Sequence, residues 1–274
     1  MDDKAFVSVD FIDAFSQKKI SHTFIHPVEI VRAEKPTDVI SALTTIERYV
    51  QQGYYAAGYI AYEALYAFYP SLDSGNVGHV GNDEPLLWFG IFEKPLQPST
   101  ELIPDLPTEN SEYYLSETET DVGFEQYQKN ISQIISEIEN GNVYQVNYAI
   151  SRYYRFWGDP VLLYRNLVNK QQSGYNLLAY NGNDWVLSIS PELFFHKKSD
   201  AIRMKPMKGT MERSTEPAMD EQNRNALYES LKNRAENSMI VDLLRNDLGK
   251  ICKPGSVQVK KKWEIEKSYD EKRK

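Results

Sequence analysis

The fold is specified most clearly by the segment Ala235-Glu236-Asn237-Ser238-Met239-Ile240-Val241-Asp242-Leu243-Leu244-Arg245-Asn246-Asp247-Leu248. Apolar residues recur in it at helical spacing, which predicts one long helix over about residues 220–251. Glu236 lies on a partly apolar side of that helix, and such a carboxylate can bind a hard cation through oxygen. Helix-end ion pairs and capping bonds are the preferred interpretation of the other charged residues, Asp242, Arg245 and Asp247.

A second polar cluster, Pro206-Met207-Lys208-Gly209-Thr210, follows a predicted strand. A lysine just before Gly-Thr lies on a turn with accessible backbone amides, where it can act as an anion partner or as a nucleophile. Surface lysines near turns are also common. The pattern by itself therefore leaves both a reactive site and an ordinary turn open.

A third cluster is Ser190-Pro191-Glu192, at the end of another predicted strand. A carboxylate in this position can act as a general acid if burial favours its protonated form. The alternative is a turn residue in water, and the local pattern alone favours that alternative.

The remaining sequence mixes helices with short strands. Two further helices are predicted, from Thr37 or Asp38, as the capping residue, to Gln52 and over residues 124–139, each ended by a glycine. Asn181-Gly182 is a tight-turn signal between two strands. Strands are predicted at residues 53–62, 86–92, 143–152, 175–180, 185–190, 193–196 and 201–205. This mixture predicts an α+β fold.

Composition excludes several classes of protein. The 274 residues carry a formal charge of −8, with no clustering of Lys and Arg typical of nucleic-acid binding. A single cysteine, Cys252, excludes an internal disulfide framework. No apolar run reaches about 18 residues, so neither a transmembrane helix nor a membrane partner is expected. The N-terminus lacks the apolar core of a signal peptide, and a cytoplasmic protein is expected.

Acidic residues are concentrated in one part of the chain. Between Lys94 and Lys129 there are eight acids and four prolines but no Lys or Arg. This composition is typical of an exposed connection. We therefore predict an acidic linker at about residues 95–121, which closes an N-terminal region of residues 1–120.

The polar clusters, taken in order, resemble the chorismate-utilising enzymes, a family that includes anthranilate synthase component I, aminodeoxychorismate synthase component I and the isochorismate and salicylate synthases. The matching segments are residues 141–148 (Gly-Asn-Val-Tyr-Gln-Val-Asn-Tyr), 190–192, 206–210 and 235–248. The resemblance implies an anthranilate synthase component I-like fold of two packed, mostly antiparallel sheets flanked by helices.

Two positions discriminate within the family. Isochorismate and salicylate synthases have a water-activating lysine where this chain has Gln145, and glutamine cannot act as that base. Aminodeoxychorismate synthases have a lysine in the Pro-x-Lys-Gly-Thr motif, as at Lys208, whereas anthranilate synthases have alanine. The resemblance therefore implies amination of chorismate to 4-amino-4-deoxychorismate, on the route to 4-aminobenzoate and folate.

The resemblance also implies roles for individual residues. Lys208 would add covalently to C2 of chorismate, and Glu192 would be the general acid for loss of the C4 hydroxyl. Gly209 and Thr210 would shape the site, Gln145 would contact substrate, and Glu236 would be a ligand of Mg²⁺. The family receives its ammonia from a glutamine amidotransferase subunit, which is therefore the expected partner.

The chain departs from the family near its end. Residues 122–267 match part of the chorismate-binding domain, but residues 268–274 resemble none of it. A histidine, carboxylate-binding Arg and Gly groups and a second metal carboxylate of the family do not follow. We therefore expect a truncated member, natural, engineered or frameshifted, with little or no activity and marginal stability.

Two other functions stay open at this point. One is an anthranilate synthase component I, which the product would distinguish from an aminodeoxychorismate synthase. The other is a non-catalytic fragment that only binds an amidotransferase.

Overall fold

The computed structural model describes residues 4–72, 84–96, 112–116, 118–171 and 173–266. These residues form thirteen strands and five α-helices, together with two short 3₁₀ helices. The strands are β1 (Phe6–Ile12), β2 (Lys19–Ile25), β3 (Glu29–Ala33), β4 (Tyr55–Ile60), β5 (Leu87–Phe92), β6 (Tyr113–Leu115), β7 (Glu119–Thr120), β8 (Arg152–Tyr153), β9 (Phe156–Gly158), β10 (Tyr175–Tyr180), β11 (Trp185–Ser190), β12 (Leu193–Lys198) and β13 (Ala201–Lys205). The helices are α1 (Pro36–Gln51), α2 (Phe124–Glu139), α3 (Pro160–Gln171), α4 (Pro217–Glu229) and α5 (Leu231–Ile251).

The chain divides into two compact units. The first comprises Met1–Leu106 and Tyr164–Lys274, and the second comprises Pro107–Leu163. The division into regions 1–120, 122–267 and 268–274 that the sequence suggests stays a prediction, and its last region and much of the acidic linker lie outside the described residues.

The first unit contains a four-stranded antiparallel sheet in the order β11-β10-β1-β2. Val7 on β1 lies opposite Ala179 on β10 and Phe24 on β2, so strands distant in sequence share one sheet. The hairpin predicted at Asn181-Gly182 is confirmed between β10 and β11, where the Asn181 N–H donates to the Asp184 carbonyl at 3.1 Å. No element is predicted before residue 37, yet β1, β2 and β3 lie there.

A three-stranded sheet, in the order β3-β5-β4, packs against the four-stranded sheet. One buried cluster joins the two sheets and contains Val7, Phe24 and Ala179 from one and Ala57, Trp88 and Phe92 from the other. A second cluster joins the opposite face of the three-stranded sheet to α1 through Val31, Val39, Ala42, Leu87 and Ile91. Strand β5 is therefore buried on both faces, which its nearly continuous apolar sequence requires.

The expected α+β arrangement of packed antiparallel sheets with helices is confirmed, but two helices differ from their predicted bounds. Helix α1 begins at Pro36 because proline is suited to the first helical position, and the predicted cap at Thr37 or Asp38 is wrong. The single helix predicted over residues 220–251 is also wrong. It is broken at Ser230, whose extended ψ of 108° ends α4 and whose Oγ caps α5 by accepting from the Asn233 N–H at 3.3 Å.

The second unit contains helix α2 and two short antiparallel pairs, β6 with β9 and β7 with β8. Helix α2 has its predicted bounds. The strand predicted over residues 143–152 is wrong, because only Arg152 and Tyr153 enter a ladder. The preceding residues lie against α2 instead: the Tyr148 hydroxyl accepts from Asn130 Nδ2 at 2.6 Å, and its ring lies 5.8 Å from that of Tyr127. None of the described helices is long and apolar enough to span a membrane.

Candidate active site

The sequence-predicted residues of the first unit lie on three adjoining pieces of chain: the β11–β12 turn, the segment after β13, and the first turns of α5. The β11–β12 turn carries Glu192. The backbone N–H of Glu192 donates to Ser190 Oγ at 3.1 Å, and this local bond fixes the turn. Glu192 itself is exposed.

One oxygen of Glu192 connects this turn to the lysine-bearing segment. Glu192 Oε1 accepts from the backbone N–H of Met207 at 2.9 Å, one residue before Lys208. A carboxylate paired with a backbone amide forms a strong, directional hydrogen bond. The two predicted catalytic residues are therefore held on neighbouring backbone segments, and this bond was not predicted from the sequence.

The turn around Gly209 needs a glycine for two reasons. Its φ is +80°, in the left-handed region that favours glycine. A Cβ added there would lie 2.9 Å from Cγ of Asn233, which is closer than real Cβ contacts. Lys208 is half-buried beside this glycine, and Thr210 is exposed.

The first turns of α5 carry Asn233 and Glu236 at a spacing that puts both on one side of the helix. Glu236 is half-buried, and its Oε1 lies 4.0 Å from Nζ of the exposed Lys232. Asn233 lies against Gly209, so Glu236 is one helical turn from the lysine-bearing turn. Asn233 was not predicted as a site residue, although its spacing from Glu236 was a usable signal.

Gln145 belongs to the second unit. It is half-buried in the irregular segment after α2, three residues before Tyr148, which anchors that segment to the helix. Its assignment as a substrate contact, like the roles of the other predicted residues, stays a prediction.

Magnesium needs oxygen ligands, and few carboxylates lie close together in the described part of the chain. No group of three or more His, Cys, Asp or Glu residues within it is arranged to hold a metal ion. A single carboxylate still suits Mg²⁺, because this ion is commonly bound through one or two carboxylates with water and substrate oxygens as the other ligands. Glu236 is compatible with such a site, and the described residues do not form a complete protein cage.

The β12–β13 hairpin, which leads from Glu192 to the lysine-bearing turn, is attached to the sheet by a cluster around Asp13. Asp13 is buried, and its Oδ1 accepts from the N–H groups of Phe15 at 2.9 Å and Ser16 at 2.6 Å. On the hairpin side, Lys198 Nζ lies 3.8 Å from Oδ2 of Asp13, and His196 Nδ1 accepts from the Ala14 N–H at 3.1 Å.

The electrostatics of this cluster favour the ionised form of Asp13. The hydrogen bond from the Ser16 backbone N–H lowers the pKa of Asp13 to about 2, against the opposing effect of burial, and the Phe15 N–H and Lys198 add to the lowering. The charged Asp13 therefore pairs with Lys198 on the hairpin that separates Glu192 from Lys208 in the sequence.

Comparison with known proteins identifies the family. The sequence profile of the chorismate binding enzymes matches residues 9–270, nearly the whole chain. Aminodeoxychorismate synthase component 1 of Klebsiella aerogenes is 36% identical over 142 residues, which cover 52% of this chain and 32% of the relative. Anthranilate synthase component 1 of Saccharolobus solfataricus is 36% identical over 143 residues, covering 52% of this chain and 34% of the relative.

A similar fold is found in a solved structure from Bacillus anthracis, assigned as a 2,3-dihydroxybenzoate-specific isochorismate synthase. Its TM-score is 0.63 at 16% identity, and the match covers 90% of this chain and 60% of that one. The chain spans about a third of the length of the curated relatives it matches. The profile match and the shared fold together show that the chain belongs to the chorismate binding enzyme family.

Proposed function

We propose that the chain has the activity of an aminodeoxychorismate synthase component I, which converts chorismate and ammonia to 4-amino-4-deoxychorismate. Sequence identity does not discriminate between this reaction and that of anthranilate synthase, because one relative of each kind is 36% identical to the chain. The observation that carries the proposal is Lys208, next to Gly209 on a left-handed turn and one residue from the amide that Glu192 accepts from.

In this proposal the amine of Lys208 attacks C2 of chorismate, and the two ring double bonds shift, from C1=C2 and C5=C6 to C1=C6 and C4=C5, as the C4–O bond breaks. One oxygen of Glu192 is engaged by the Met207 N–H. The other oxygen delivers a proton to the departing hydroxyl, which leaves as water. Lys208 has to be the neutral amine to act as the nucleophile.

Ammonia then forms a bond to C4, both double bonds shift back, and the C2–N bond to Lys208 breaks. The amine of Lys208 is thereby restored, and the proton released from the new C4 ammonium returns to Glu192. Chorismate and ammonia are thus consumed, and 4-amino-4-deoxychorismate and water are formed. No oxidant or reductant is needed.

The other predicted residues bind and orient the substrate. Glu236 would hold Mg²⁺ with its carboxylate, and the ion supplies charge neutralisation to the ring carboxylate. Gly209 leaves the turn free of a side chain where the ring approaches. Thr210 contributes a polar contact. A glutamine amidotransferase subunit is the proposed source of ammonia.

A single-turnover experiment tests this function, because it detects the covalent step directly. The chain is incubated with chorismate and Mg²⁺ without ammonia, and its peptides are analysed by mass spectrometry. The expected result is an adduct on Lys208 with the mass of chorismate less water, which is released as 4-amino-4-deoxychorismate when an ammonium salt is added. Lys208→Ala should form neither adduct nor product.

The second candidate function, favoured by the Saccharolobus solfataricus relative, is anthranilate synthesis. It needs no covalent lysine, so Lys208→Ala would keep its activity. Anthranilate as the product, formed equally by the wild type and by Lys208→Ala, would replace the proposed function with this one. Binding of an amidotransferase without any chorismate chemistry would support a non-catalytic chain.

A further inference from the structure

We propose that Asn233 is a positioning residue for Lys208, through its contact with Gly209; this inference rests on the proposed function of Lys208. The Asn233 side chain lies directly against the glycine. A Cβ added to Gly209 would lie 2.9 Å from Cγ, 3.1 Å from Cβ and 3.2 Å from Oδ1 of Asn233.

The contact joins the irregular segment after β13 to the first turn of helix α5. The residues after β13 belong to no helix or strand, and a glycine at φ +80° has more backbone freedom than other residues. Asn233, by contrast, is held in the first turn of α5. Its N–H donates to the capping Ser230 Oγ at 3.3 Å, and helix backbone bonds begin at this turn.

The turn is thereby restrained from both sides. Glu192 Oε1 binds the Met207 N–H on one side of Lys208, and Asn233 packs against Gly209 on the other. These two contacts would fix the backbone on either side of Lys208. A misplacement of about 1 Å at a reacting group can cost on the order of 100-fold in rate, so such a restraint affects catalysis without touching substrate.

Asn233 should therefore act on the rate of the step at Lys208 more than on substrate binding. In Asn233→Ala the restraint is lost, and the rate of adduct formation from chorismate should fall about tenfold with little change in the chorismate concentration for half-maximal rate. Asn233→Asp keeps the shape of the side chain and should retain most of the rate. Asn225→Ala, which removes an exposed asparagine of α4, is the matched control and should behave like the wild type.

A double-mutant cycle tests the contact itself. Gly209→Ala places a methyl group against Asn233, so part of its effect should disappear in an Asn233→Ala background. The part of the Gly209→Ala effect that is caused by the positive φ should persist in the Asn233→Ala background. Strict additivity of the two substitutions would contradict a direct contact.

The positioning role also has a readout that does not need chorismate chemistry. The rate of reductive methylation of Lys208 is compared by peptide mass spectrometry with that of the exposed Lys197 on β12. In Asn233→Ala the ratio of the two rates should change by about threefold or more, since a released turn alters the exposure of Lys208.

The outcomes separate this inference from the proposed function. Wild-type chain without any adduct, combined with a changed labelling ratio in Asn233→Ala, would reject the function and keep the positioning role. Unchanged adduct and labelling rates in Asn233→Ala would overturn the inference. Equal losses in the rate of adduct formation in Asn233→Ala and Asn233→Asp, accompanied by a lower melting temperature, would also overturn the inference. Such a result would indicate that Asn233 has a purely structural role.

Discussion

The two packed sheets together with α1, here called the sandwich, and helix α5 belong to the same compact unit but are packed very differently. In the sandwich, Leu87 and Ile91 have no exposed surface, whereas α5 has no buried residue over its whole length and leaves Leu243 46% exposed. Both regions use the same kinds of apolar side chain. Because hydrophobic stabilisation scales with the area removed from water, the free energy of unfolding should come mainly from the sandwich.

This difference in burial shows where the candidate catalytic residues lie. Glu192, Lys208 and Glu236 all lie on the less buried elements, on turns and on the start of α5. Elements that bind ligands are commonly drawn from the less stable part of a fold. The few specific hydrogen bonds at these elements should therefore matter more than their apolar contacts.

The largest expected effect comes from one substitution made in both regions. Leu87→Ala should lower the free energy of unfolding by about 2–5 kcal/mol, because it leaves a cavity between the three-stranded sheet and α1. Leu243→Ala removes the same atoms from a half-exposed site and should cost less than about 1 kcal/mol. Urea unfolding monitored by tryptophan fluorescence measures both. Equal losses of unfolding free energy in the two variants would show that Leu243 on α5 is buried to the same extent as Leu87.

A smaller effect is expected where the sandwich holds the β12–β13 hairpin. Asp13→Ala leaves the N–H groups of Phe15 and Ser16 without their acceptor and should cost about 1–3 kcal/mol. Asp13→Asn keeps an acceptor oxygen and should cost less. The control is Asp247→Ala, which removes an exposed ion pair on α5 and should stay within about 0.5 kcal/mol of the wild type in the same urea titration.

The cap of α5 should have a more local effect. Ser230→Ala removes the acceptor for the Asn233 N–H and should cost about 1 kcal/mol, whereas Ser230→Asp should restore most of it. Amide hydrogen exchange gives the location of the change. Faster exchange is expected in the first turn of α5, with unchanged exchange in β10; loss of protection in both would mean that the two regions unfold together.

The last expected effect is a dependence on pH. The folded-state pKa of Asp13, about 2, lies below its ordinary value of 3.8. Its ionised form therefore stabilises the folded chain above pH 3.8, and this contribution is lost as the pH falls toward about 2. The difference in urea midpoint between wild type and Asp13→Asn should shrink over that range, since the other carboxyl groups cancel in the comparison. A constant difference would show that ionisation of Asp13 does not stabilise the folded chain.

The fold was predictable where local signals were strong. Helix α2 has an apolar face at helical spacing and a glycine after its end, and the β10–β11 hairpin has Asn181-Gly182 at its turn. Prediction failed where a residue's role depends on distant partners. Residues 143–150 alternate like a strand, but no ladder forms, and Tyr148 lies against α2 instead. The break at Ser230 was missed because the apolar spacing continues across it.

The candidate site was predictable as a set of residue types but not as a geometry. Lys208, Gly209, Glu192 and Glu236 all follow from the motifs. Neither the bond from Met207 to Glu192 nor the contact between Asn233 and Gly209 follows from them, because each joins residues at least 15 positions apart. Such contacts depend on how turns meet in three dimensions.

The sequence by itself determined the family, the α+β character and the identity of the candidate residues, because these depend on local composition, spacing and residue chemistry. Only the tertiary structure decided that β1 pairs with β10, that β5 is buried on both faces, and that the start of α5 lies against the lysine-bearing turn. The physical reason is that strand pairing and side-chain contacts over long sequence separations are selected by the burial of the whole core, which no local pattern encodes.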